Sequence, residues 1–198
     1  MENHLEKELN SALRSMFRKN FVGIFHGSLS AKVEEEKFII NTRNAIFDNL
    51  KEDDFIELYT KKDYRWTNAS IDADIHLSVY QNISEAKYLS YTMAPFMTSY
   101  ALNHEEVVPK DYFGTQIIGT IPVYDPGDFE SWYTRAKDEI YLYLQKNNTD
   151  MILIRGYGLY TFNRDITTLI KKIAILENSC KLLLRAPQNT EPRNFPLS

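Results

Sequence analysis

The chain has 198 residues, enough for one α/β domain with a sizeable core, and its 43% hydrophobic and 25% charged composition excludes a disordered chain. With 23 basic against 27 acidic residues the net charge is −4 and no block of lysine or arginine stands out, so nucleic acid is not an expected partner. The single cysteine, Cys180, excludes an intrachain disulfide and reads as a small buried hydrophobe. No apolar leader opens the chain, and no run reaches the roughly 20 apolar residues of a membrane span, so a cytoplasmic protein without membrane insertion is expected.

Leu5, Leu9, Ala12, Leu13, Met16 and Phe17 recur at helical spacing and predict an opening helix from about Glu2 to Lys19. Short strands are predicted at Val22–His26, Ser28–Val33, Lys37–Asn41 and Phe55–Tyr59, with Glu34-Glu35-Glu36 as a solvated turn. Asp72 precedes a helix carrying Ile75, Val79, Tyr80 and Ile83. An apolar strand, Leu89 to Thr92, leads to Pro95 at the first position of another helix. A strand ending at Pro122 is expected between Gly114 and Val123. Asp128 caps a long helix with Phe129, Trp132, Ala136, Ile140 and Tyr143 on its apolar face. Strands at Met151–Arg155 and Leu159–Phe162 follow, and Asp165 opens a last helix through Leu184. The pattern gives a single domain, residues 1–186, with a proline-bearing loose tail over 187–198. Its fold class is α/β, a three-layer α/β/α sandwich around a mostly antiparallel sheet.

Several short segments recur in a telling order. They are Gly27-Ser28-Leu29-Ser30, then Phe38 through Asn44, then Leu50 with Asp53-Asp54, then Ala69-Ser70-Ile71-Asp72. Leu89-Ser90-Tyr91-Thr92-Met93-Ala94-Pro95, Ile121-Pro122-Val123, Arg155-Gly156-Tyr157-Gly158 and Asn163-Arg164-Asp165 follow. Each fragment alone is weak. The ordered set, from the opening helix to about Leu184, resembles the class II aldolase/adducin family, including L-fuculose-phosphate aldolase-like members. That resemblance implies the same sandwich fold.

In active members of that family, His-x-His-x-Pro and Gly-His-Gly segments hold a divalent metal, usually zinc. Here the three imidazole positions hold Tyr91, Met93 and Tyr157. Phenols ionise near pH 10 and a thioether is soft, so the resemblance implies a scaffold without its zinc. The remaining histidines, His4, His26, His76 and His104, have no metal-ligand spacing. The resemblance places Gly27, Ser28, Arg43, Asn44 and Ser70 at phosphate-contacting turns, where amides, hydroxyls and a guanidinium hold an anion without metal. Asp72 stands where the family has its catalytic Glu, and reads either as a weakened acid/base or as a helix cap.

The expectation is a degenerate family member lacking metal-dependent lyase activity. It would keep a pocket for a phosphorylated small molecule and serve in binding or assembly. The alternative is an active aldehyde-lyase, epimerase or dehydratase on a phosphorylated sugar, with a rearranged metal site or with Tyr91 or Tyr157 as acid, its pKa lowered by Arg155 or Arg43. Family members form tetramers, so the resemblance implies a homo-tetramer or other homo-oligomer.

Overall fold

Helix α1 (Glu2–Arg18) buries Leu9, Leu13 and Met16 completely, as its apolar periodicity demands. Each such side chain removed from water contributes about 2 kcal/mol. The computed structural model describes residues 2–24, 26–51 and 53–186, so the expected loose tail, 187–198, lies outside the described residues.

Strands β1 (Ser28–Glu34), β2 (Lys37–Asn41) and β3 (Phe55–Tyr59) form the antiparallel meander read from the sequence. A strand at Val22–His26 does not form among the described residues. The Gly23 N–H donates to the His26 carbonyl at 2.8 Å, closing a turn that delivers the chain to Gly27. After a short 3-10 turn at Tyr64–Thr67 come α2 (Ala73–Asn82), β4 (Tyr88–Thr92) and α3 (Pro95–Asn103). Pro95 sits at the start of α3, where its missing N–H costs nothing. Strand β5 (Glu106–Val107) was not anticipated. The strand expected from Gly114 begins only at β6 (Ile121–Tyr124) and runs through Pro122 instead of ending there. The preceding residues, Gly114–Ile118, wind into one π-helical turn because Asp111 accepts from the Gly114 N–H at 2.9 Å and the Gly119 N–H reaches back to the Gly114 carbonyl.

Helix α4 (Phe129–Lys146) is capped by Asp128, β7 (Met151–Ile154) and β8 (Gly158–Asn163) form a hairpin, and α5 (Ile166–Arg185) is capped by Asp165. The apolar face of α4 is Trp132, Ala136, Ile140 and Leu144; Phe129, expected on that face, is largely exposed.

The eight strands lie in the order β3-β2-β1-β4-β8-β7-β6-β5, antiparallel except for the β6–β7 pair. Period-two alternation divides the interior into two cores. Leu29, Ala31, Leu153 and Leu159 face α1, α3 and α5, whereas Phe38, Ile40, Ile152 and Tyr160 face α2 and α4. The result is the expected three-layer sandwich with a mostly antiparallel sheet. No helix of the described residues is long and apolar enough to cross a membrane.

Antiparallel pairing brings the end of β2, the start of β1, the end of β4 and the β7–β8 turn to one edge of the sheet. Two glycines allow that convergence. A Cβ on Gly27 (φ +135°) would meet Val22 at 2.5 Å, and one on Gly158 (φ +137°) would meet the Thr92 carbonyl at 2.3 Å.

Candidate functional site

At that edge a cleft of about 430 Å³ opens. Its floor comes from the Gly27 turn and from Thr42 and Arg43 after β2, one wall from Ser70, Ile71 and Asp72 before α2, and the other from Tyr91, Met93, Tyr133, Gly156 and Tyr157. Gly27, Arg43, Ser70, Asp72, Tyr91, Met93 and Tyr157, widely separated in the chain, are thereby brought together. Asn44 is exposed and does not line the cleft. Ser28 does not line it either: fully buried, its hydroxyl lies 2.8 Å from His76 Nε2.

Asp72 occupies the position before α2, yet its side chain makes no capping hydrogen bond. The capping reading therefore fails. Ser70, two residues earlier, accepts from the Asp72 N–H at 3.3 Å, which steadies the approach to α2 without capping its first amides. The Asp72 carboxylate is freed to accept from the Tyr160 hydroxyl at 3.1 Å. Burial pushes its pKa up to about 6, against the opposing pull of Ser28 and Tyr160.

Behind Asp72 runs a buried polar chain. Ser28 joins His76 Nε2, His76 Nδ1 lies 2.5 Å from the Ser30 hydroxyl, and Ser30 lies 2.6 Å from the Tyr80 hydroxyl. Burial lowers the His76 pKa to about 3, so the imidazole is neutral. A proton on Nε2 lets each donor meet an acceptor, running from Tyr80 through Ser30, His76 and Ser28 to Asp72. The sequence reading missed this chain. Its trace was the pair of serines at i, i+2 in β1 facing His76 and Tyr80 at i, i+4 in α2.

The tyrosines form a packed stack. Tyr91 lies 4.9 Å from both Tyr157 and Tyr160, and Trp132 and Tyr133 approach Tyr157 edge-on at 5.8 and 6.2 Å. The Tyr91 hydroxyl donates to the Tyr157 carbonyl at 2.8 Å. The Tyr157 hydroxyl is buried and meets no partner in hydrogen-bond geometry, although Tyr133 and Tyr160 lie near enough to influence its proton. Burial first, then the charge of Asp72, raises the pKa of Tyr91, Tyr157 and Tyr160 alike.

Among the described residues no cation pulls these phenols back down: Arg155 is turned away to the Ala101 and Leu102 carbonyls and to Glu105 and Asp125. The lowered tyrosine pKa required by a tyrosine acid is therefore not what the surroundings produce.

This donor set does not fit a divalent cation. The phenols resist ionisation, one of them is already spent on a carbonyl, and the Met93 thioether is soft and neutral. Among the described residues no three His, Cys, Asp or Glu side chains converge as metal ligands.

The fold and the order of these segments match the family described as Class II Aldolase and Adducin N-terminal domain over residues 7–184, and the chain belongs to that family. It is similar to L-fuculose phosphate aldolase of Methanocaldococcus jannaschii, 21% identical over 182 residues that cover 90% of this chain and 95% of the relative. Among solved structures it superposes on L-fuculose-1-phosphate aldolase from Thermus thermophilus with a TM-score of 0.81 at 18% identity, covering 93% of this chain and 95% of that one. An aldolase II superfamily protein from Pseudomonas syringae gives 0.76 at 15% identity, over 92% of this chain and 74% of that one.

Proposed function

We propose that this protein is a class II aldolase scaffold that binds an anionic small molecule in the cleft without metal-dependent lyase chemistry. It would be a degenerate member of the family, acting in binding or assembly as a homo-oligomer. The reading is carried by one feature of the cleft: Tyr91, Met93 and Tyr157, which the family resemblance sets at metal-ligand positions, line it with rings and a thioether, Tyr91 packed on Tyr157 and bonded to its carbonyl. A bound metal supplies several kcal/mol of charge stabilisation in such chemistry, and these side chains cannot replace it. Gly27, Arg43 and Ser70 stay at the cleft, where backbone amides and a guanidinium suffice for a phosphate.

The test is metal analysis of protein purified without chelator, together with thermal melts in phosphorylated sugars and a ketose-phosphate cleavage assay. Less than a tenth of an equivalent of metal, no cleavage, and a melting shift that Arg43→Ala abolishes would support the proposal. Stoichiometric zinc or brisk cleavage would end it.

A second reading, catalysis of proton transfer on a phosphorylated sugar, draws on Asp72, whose pKa of about 6 suits an acid/base at neutral pH. It requires turnover that survives chelator and is lost in Asp72→Asn.

A further inference from the structure

We propose that the cleft selects an anion carried on a flat apolar body, such as an aromatic ring bearing a phosphate or carboxylate, over an anion carried on a polyhydroxylated chain. This rests on the reading of the cleft as an anion site and names the ligand class.

The first observation is polarity along the sheet edge. Arg43 follows β2, and Tyr157 sits in the turn before β8; the order β2-β1-β4-β8 puts three strand spacings, about 14 Å, between those backbone positions. Gly27, before β1, lies between the two ends beside the Tyr91 carbonyl, while Met93 lies against Gly158 and Tyr133 meets Tyr157 edge-on at the ring end. A ligand that spans the cleft meets charge at one end and rings at the other.

The second is the withdrawal of groups that could receive sugar hydroxyls. At the ring end the Tyr91 hydroxyl is committed to the Tyr157 carbonyl, and the Tyr157 hydroxyl is itself shut from solvent. Asp72 is only 2% exposed and turns its carboxylate toward Tyr160. A hydroxylated chain entering here would lose its water and gain few hydrogen bonds.

The third is the apolar surface that remains open. Tyr133 is 50% exposed, Ile71 57% and Met93 40%, and all three line the cleft. A ring laid on Tyr133 and Met93 gains aromatic and sulfur contacts that a sugar cannot make. The cleft volume of about 430 Å³ suits a ligand of this size.

The experiment is calorimetric titration of the full chain with inorganic phosphate, glycerol phosphate and phenyl phosphate. Phenyl phosphate should bind roughly tenfold more tightly than glycerol phosphate, the increment of one ring contact. Tyr133→Ala, at a half-exposed position, should erase that increment and leave inorganic phosphate unchanged, whereas Arg43→Ala should weaken all three. Equal affinity for the two esters, or preference for glycerol phosphate, overturns the ligand class while leaving the anion site standing. Binding of none of the three overturns the anion site, and the ligand class with it. If Tyr133→Ala instead lowers the oligomer mass in light scattering and leaves the phenyl increment intact, the exposed rim is a contact between copies of the chain and the inference is wrong.

Discussion

Two buried carboxylates on opposite faces of the sheet are held in opposite ways. Glu177 of α5 accepts from the Phe96 and Met97 N–H groups at 2.9 and 2.8 Å, capping the first turn of α3, whose own cap residue, Ala94, has no side chain to offer. Asp72 stands at the start of α2 and caps nothing; its proton partners are hydroxyls, and it faces a cleft. Burial raises both pKa values, but at Glu177 two backbone amides pull back toward the anion. One acid is fixed in place by two backbone amides. The other is left able to exchange its proton beside a ligand-sized space.

The largest effect is expected at Glu177. Glu177→Ala should cost about 3 kcal/mol in chemical denaturation, because two N–H groups at a helix start lose their shared acceptor. Anion binding at the cleft should change little. A loss under 1 kcal/mol would mean that Glu177 is no anchor.

Asp72→Asn should act in the other direction. The shift from 3.8 to about 6 corresponds to about 3 kcal/mol. Because the pKa is raised, the stability Asp72 contributes is full below its unfolded value and is lost as pH rises through about 6. The variant should therefore be more stable than the parent by about 3 kcal/mol at pH 8 and equal to it below pH 4. His76 has the opposite slope: its depressed pKa means that stability is lost as pH falls from 6.5 toward about 3. In the parent these two trends offset each other between about pH 4 and 6. In Asp72→Asn the histidine trend should stand alone, and an unchanged pH profile of unfolding would refute the pairing.

The two tyrosines of the cleft sharpen the same contrast on a smaller scale. Tyr91→Phe removes a bond to the Tyr157 carbonyl and should cost about 1 kcal/mol. Tyr157→Phe removes a hydroxyl that already lacks a partner and should be neutral or slightly stabilising, on the order of 0.5 kcal/mol. Urea melts that ranked them the other way would show Tyr157 to be the better-bonded phenol.

Local chemistry was legible in the sequence. Periodicity located α1, and Asp128 and Asp165 marked the starts of α4 and α5, because a cap needs only a short acceptor beside the first free amides. The same rule misread Asp72, since it counts residue types and not competing partners. Tyr160, far along the chain, donates to the carboxylate that a cap would have turned to the first amides of α2. The π-helical turn at Gly114–Ile118 escaped for a similar reason: apolar content suggested a strand, while Asp111 supplied a local acceptor that wound the chain.

Family and layered fold could be read from the chain alone, because they follow from the order of segments, their period and side-chain identity. Only tertiary structure decided which side chains share a surface. Strand order set Arg43 and Tyr157 at opposite ends of one cleft, and burial turned Ser28 inward to His76 while leaving Tyr133 half open. Side-chain direction and proton affinity depend on neighbours that pairing across the sheet supplies, and those neighbours are distant in the chain.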